Sequence, residues 1–126
     1  MARVFISFAV EDRSLRDLLH GQKKNTKTTI DFTDYSVKEP WDNAWKTKCR
    51  QRIKLCAGMI GIITSRTPRA DGQLWELRCA VQENMPLLLI HGYNDRLRLS
   101  TLPTEISGRQ ILDWTEYNLS NFLDCL

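Results

Sequence analysis

Two rhythms of apolar residues alternate along this chain. Residues 3–8 form a near-continuous apolar run, as a central parallel strand requires. Helical spacing follows, with Leu15, Leu18 and Leu19 as its stripe, Asp12 or Ser14 as candidate N-caps and Gly21 at its end. Residues 28–33 are β-branched but polar enough for a sheet edge. After Pro40 the helical rhythm returns with Trp41, Trp45, Cys49, Ile53 and Cys56. Residues 57–64 form an apolar strand, residues 65–72 a polar loop, and residues 73–84 a helix with Leu74, Leu77, Ala80 and Val81 towards the core. A strand at 86–90, a long loop at 91–109 and a short strand at 110–113 lead to a closing helix. That helix has Asp113 and Glu116 at capping-box spacing and Leu119, Phe122, Leu123 and Leu126 as its stripe.

Regular alternation of strand and helix, without repeat or linker, predicts a single α/β domain over residues 1–126. The expected architecture is a flavodoxin-like three-layer fold. Its five-stranded parallel sheet has order 2-1-3-4-5, with helices on both faces. Ligands in such sheets bind beyond the carboxyl ends of the strands where the order reverses, here between the first and third. Three segments should meet there: residues 8–12, 34–36 and 64–76.

Composition narrows the class. The chain has 126 residues, enough for a core without staples, and its apolar run never reaches the ~20 residues of a membrane span. The N-terminus enters a strand at once, without a signal peptide's apolar region, so a cytoplasmic protein is expected. The four cysteines show neither a CxxC pair nor metal-ligand spacing, and buried free thiols are expected instead of disulfides or a metal centre. Lys46, Lys48, Arg50, Arg52 and Lys54 flank the second helix's stripe instead of forming one face. With a net charge of +3, nucleic acid is not an expected partner, and neither is a membrane.

Phosphate cradles of the GxGxxG and GxxxxGK[ST] types are absent, as is a GxSxG nucleophile elbow. A phosphoacceptor receiver shares the strand order, but Thr64-Ser65 and His91-Gly92 stand where it places an aspartate and a lysine. Glu76 draws attention because it lies near the start of the third helix, towards the crevice. Position alone allows either a surface acid matched to the helix dipole or a catalytic carboxylate. Ser7, Phe8 and Ala9 end the first strand, where they can line a nucleotide site, although Phe8 equally suits the core. Asp34 and Ser36 can bind ligand or form an Asx-type turn. Arg66 and Arg69 can meet a diphosphate or stay solvated, and Trp75, off the stripe, reads as an exposed aromatic at a pocket rim or contact.

Taken in order, several of these segments resemble the bacterial Toll/interleukin-receptor-like (TIR-like) family. They are Phe5-Ile6-Ser7-Phe8 with Glu11-Asp12, then Phe32-Thr33-Asp34-Tyr35-Ser36, then the helix around Trp45 and Ile53. The strand at 59–64 and Trp75-Glu76-Leu77-x-x-Ala80 before Pro86-Leu87-Leu88-Leu89 continue the match. The family includes NAD-consuming enzymes, among them the TIR subunits of Thoeris anti-phage systems. The resemblance implies Glu76 as the catalytic residue and NAD as substrate, with no cofactor besides. Ser7, Phe8, Ala9, Asp34, Ser36 and Trp75 would then bind substrate. It also implies an ADP-ribose-derived product, hydrolysed or cyclised, acting as a signal. A chain this short leaves the effector to a separate protein, and TIR contacts through residues 34–41 imply self-association. One position departs: many TIR enzymes carry tryptophan four residues before the glutamate, and here that residue is Gly72. The departure leaves open a non-catalytic TIR-like adaptor.

Overall fold

The computed structural model describes residues 3–22, 29–31, 43–92 and 106–126. Its strands are β1 (Arg3–Ser7), β2 (Thr29–Asp31), β3 (Gly58–Ile63), β4 (Leu87–His91) and β5 (Ile111–Leu112). Its helices are α1 (Arg13–Gln22), α2 (Asn43–Lys54), α3 (Asp71–Gln82) and α4 (Glu116–Asp124). Short 3₁₀ turns, Val10–Asp12 and Thr67–Arg69, precede α1 and α3.

β1, β3, β4 and β5 pair in that order into an all-parallel sheet, and β2 joins parallel to the other side of β1. The chain therefore leaves β1 in one direction to form β2 and returns across it to form β3. This reversal creates the expected switch point between β1 and β3. Alternate residues of β1 serve opposite faces. Phe5 packs with Trp45, Cys49 and Ile53 of α2 and with Leu77 and Ala80 of α3. Val4 and Ile6 pack with Leu15 and Leu19 of α1 and Leu119 of α4. All six residues of β3 are buried, as its apolar sequence demands in a sheet covered on both sides.

Gly61 lets α3 approach closely. A Cβ there would lie 2.9 Å from both Leu77 Cδ2 and Leu89 Cδ2, so a side chain would force those two buried leucines to move. No helix among the described residues is long and apolar enough to cross a membrane.

Two local expectations need correction. α3 begins at Asp71, and its buried positions are Gly72, Gln73, Glu76, Leu77, Cys79 and Ala80, whereas Leu74 and Val81 are half-buried. The face is rotated because polar side chains find partners at the strand ends and so go inward. α4 is capped by Thr115, which accepts from the Asn118 amide at 3.1 Å, instead of by an Asp113–Glu116 box. Asp12 stands immediately before α1, the position expected of a cap, and its buried carboxylate makes a tertiary contact described below. Trp41 and most of the 91–109 loop lie outside the described residues.

Candidate active site at the carboxyl ends of β1 and β3

Glu76 is 1% exposed, which rules out the surface acid. It is the sixth residue of α3, whose first turn carries Asp71 instead, so it lies beyond the reach of the helix-end dipole. Its oxygens are met by side chains from two other elements. Ser7 Oγ, at the end of β1, donates to Oε1 at 2.8 Å, and Cys49 Sγ of α2 lies 3.7 Å from Oε2. A buried carboxylate needs such donors, because desolvation without them costs several kcal/mol.

Gln73, one turn earlier on the same face, fixes the helix to the sheet. Its Nε2 donates to the carbonyl of Ser7 at 3.1 Å and to that of Ile62 at 2.8 Å. Ser7 is the last residue of β1 and Ile62 the last but one of β3, so these bonds tie α3 to the carboxyl-terminal parts of both strands. Ser7 is thus held at both ends: its carbonyl by Gln73 and its hydroxyl by Glu76.

A second junction ties the connection after β1 to the connection after β3. Asp12, fully buried, accepts from Thr64 Oγ1 at 2.6 Å and from Arg66 Nη1 at 2.8 Å. Thr64 Oγ1 in turn accepts from the Arg66 amide at 3.1 Å. Two of the three segments expected at the crevice therefore do meet there. Asp34 and Ser36, from the third, lie outside the described residues.

Of the remaining candidates, Ser7 touches Glu76 directly. Phe8 is core, packed with the opposite sheet face and covered by the Arg16 guanidinium at 5.2 Å from its ring centre. Ala9 is buried beside it and accepts the Asp12 amide at 2.8 Å through its carbonyl. Trp75 is half-buried instead of exposed. Its ring lies 5.5 Å from that of Trp45, tilted by 55°, with Arg50 over it at 5.8 Å. It braces α3 against α2, so its size is spent on packing. Gln73, Cys49 and the Asp12–Thr64–Arg66 junction were not singled out from sequence as site residues in these roles. The spacing of Gln73 and Glu76, three apart on one helix face, is the signal that could have drawn Gln73 in.

Thiol chemistry is poorly served here. Burial pushes the Cys79 and Cys56 thiols up, away from the nucleophilic thiolate. Among the described residues, no three His, Cys, Asp or Glu side chains gather as a metal site would need. A shallow groove of ≈ 260 Å³ lies at the carboxyl ends of β4 and β5, lined in part by His91, Asp113 and Asn118, and does not include Glu76. Comparison with models of known protein families and with curated proteins finds no match to this chain. The site therefore defines an α/β protein with a buried carboxylate at its switch point, and its chemistry has to be inferred from those residues.

Proposed function

We propose that the protein is a TIR-like, NAD-consuming enzyme of flavodoxin-like type in which Glu76 acts on the nicotinamide–ribose bond. The observation that carries this reading is the buried Glu76 carboxylate, held by Ser7 and Cys49 at the switch point between β1 and β3. Neither of these donors carries a charge. Breaking the bond releases neutral nicotinamide from a cationic ring, so the leaving group needs no proton. The demand falls on the sugar, which becomes oxocarbenium-like as in glycoside hydrolysis. A carboxylate set against the ribose in a dry site stabilises that charge and orients the hydroxyls. Capture by water gives ADP-ribose, and internal capture gives a cyclic isomer. Either product is a diffusible signal, and in anti-phage defence a separate effector would read it.

The test is mass spectrometry of NAD incubated with concentrated protein, wild type beside Glu76→Gln. Nicotinamide release by the wild type, reduced at least about 100-fold in the variant, is the expected result. The mass of the second product separates hydrolysis, cyclisation and transfer. The near-complete burial of Glu76 favours a second reading, an adaptor in which the carboxylate is structural. In that case neither protein consumes NAD, including in extract from infected cells. Substitutions at Ser36 or Trp41 then disrupt TIR–TIR association while Glu76→Gln leaves it intact.

A further inference from the structure

Gln73 carries more than its anchoring role requires. The side chain is 1% exposed, and its Oε1 is buried without a hydrogen-bond partner. The amide cannot simply be flipped. Both Nε2 contacts are backbone carbonyls, Ser7 O and Ile62 O, and an oxygen in that place would face two acceptors. Because Nε2 is committed to the sheet, Oε1 turns away from those two carbonyls. A buried acceptor left without a donor costs about 1–3 kcal/mol, so such atoms call for an explanation.

Its neighbourhood supplies one. Glu76 lies one turn along the same buried helix face, and Ser7 Oγ spans the two, 2.8 Å from Glu76 Oε1 and 3.5 Å from the Gln73 carbonyl. Ser7 Oγ, both Glu76 oxygens and Gln73 Nε2 each meet a donor or acceptor within the protein, and Gln73 Oε1 does not. We propose that Gln73 Oε1 accepts a hydroxyl of the nicotinamide-side ribose, making Gln73 a residue that binds and orients the sugar beside Glu76. This inference rests on the NAD-cleaving reading. A hydroxyl suits the position because the vacant valence is an acceptor and the partner must be a neutral donor. A cationic donor would compete with the developing positive charge on the sugar. A site built to accept a hydroxyl also discriminates strongly against a sugar that lacks it, since the protein acceptor is then stranded.

The experiment compares NAD with its 2′-deoxy and 3′-deoxy nicotinamide-ribose analogues. In the wild type, one of the two should bind about tenfold more weakly than NAD, read as an inhibition constant, which is free of the analogues' different intrinsic reactivity. Gln73→Lys keeps a donor for the strand ends and removes the acceptor, and Gln73→Met removes both; circular dichroism establishes which is folded. In a folded variant the tenfold discrimination should collapse to about twofold or less, because NAD itself loses about tenfold in binding and the analogue that lacks the hydroxyl does not. Equal inhibition by NAD and both analogues in the wild type overturns the proposal without any variant. Discrimination unchanged in a folded variant overturns it too, while NAD turnover itself stands. If the wild type neither binds nor consumes NAD under any condition, the enzymatic reading fails and this inference falls with it.

Discussion

Residues that look alike in sequence are given different work by their surroundings, and the cysteines illustrate it. Cys49 donates towards Glu76, Cys56 lies against the Arg52 carbonyl at 3.4 Å, and Cys125 is exposed. For Cys56, burial foremost and then the nearby Asp31 charge raise the thiol from its ordinary value near 9.0 to about 11, against the opposing pull of Arg3 and Arg52. The neutral thiol is thus favoured by folding. Its contribution to stability is complete below the unfolded value and is lost as pH rises through the folded one, a window from about 9.0 to about 11. Urea unfolding of wild type and Cys56→Ala should therefore differ most at pH 8, and the gap should narrow by pH 10.5. Comparing the pair cancels the titration of lysines and tyrosines in the same range. A gap that stays constant across that range would sink the assignment. Cysteine burial was legible because Cys49 and Cys56 share the spacing of an apolar stripe. The bond from Cys49 to Glu76 was not, since it joins two helices whose packing no local pattern specifies.

Among elements, the strands and their order were easier to anticipate than the orientation of α3. Alternation of strand and helix, with a fully apolar β3, leaves few arrangements of a parallel sheet. The face of α3 is different, because an apolar stripe is drawn through Leu74, Leu77, Ala80 and Val81 and leaves polar Gln73 and Glu76 out of it. They are buried because the Ser7 and Ile62 carbonyls and the Ser7 hydroxyl take their side chains as partners. The same limit hid the part played by Asp12. Its carboxylate joins the β1–α1 connection to the β3–α3 connection through Thr64 and the half-exposed Arg66. Asp12→Ala would strand the Thr64 hydroxyl, while Arg66 can return to water. The expected loss is about 1–3 kcal/mol in chemical denaturation, and Arg66→Ala should cost less than half of it. Comparable losses in the two variants would place the stabilisation in the ion pair instead of the buried hydrogen bond from Thr64.

For the molecule as a whole, the difficulty is access. Glu76 and Cys49 are 1% and 2% exposed, so on the proposed NAD-cleaving reading a dinucleotide meets the carboxylate only if the region between β1, α2 and α3 opens. A state populated at about one part in a hundred costs roughly 2.7 kcal/mol, within reach of a loop movement or of self-association. Cys49 reports that opening directly, because its thiol is bonded to Glu76. Cys79 serves as the control. It is buried in the same cluster, on α3 itself. As protein concentration is raised, specific nicotinamide release and the alkylation rate of Cys49 should rise together, by at least several-fold, with Cys79 labelling unchanged. If both cysteines accelerate equally, the whole domain is unfolding. If turnover rises while Cys49 stays protected, substrate reaches Glu76 by a route that leaves the α2 contact closed, and concentration acts on some other step.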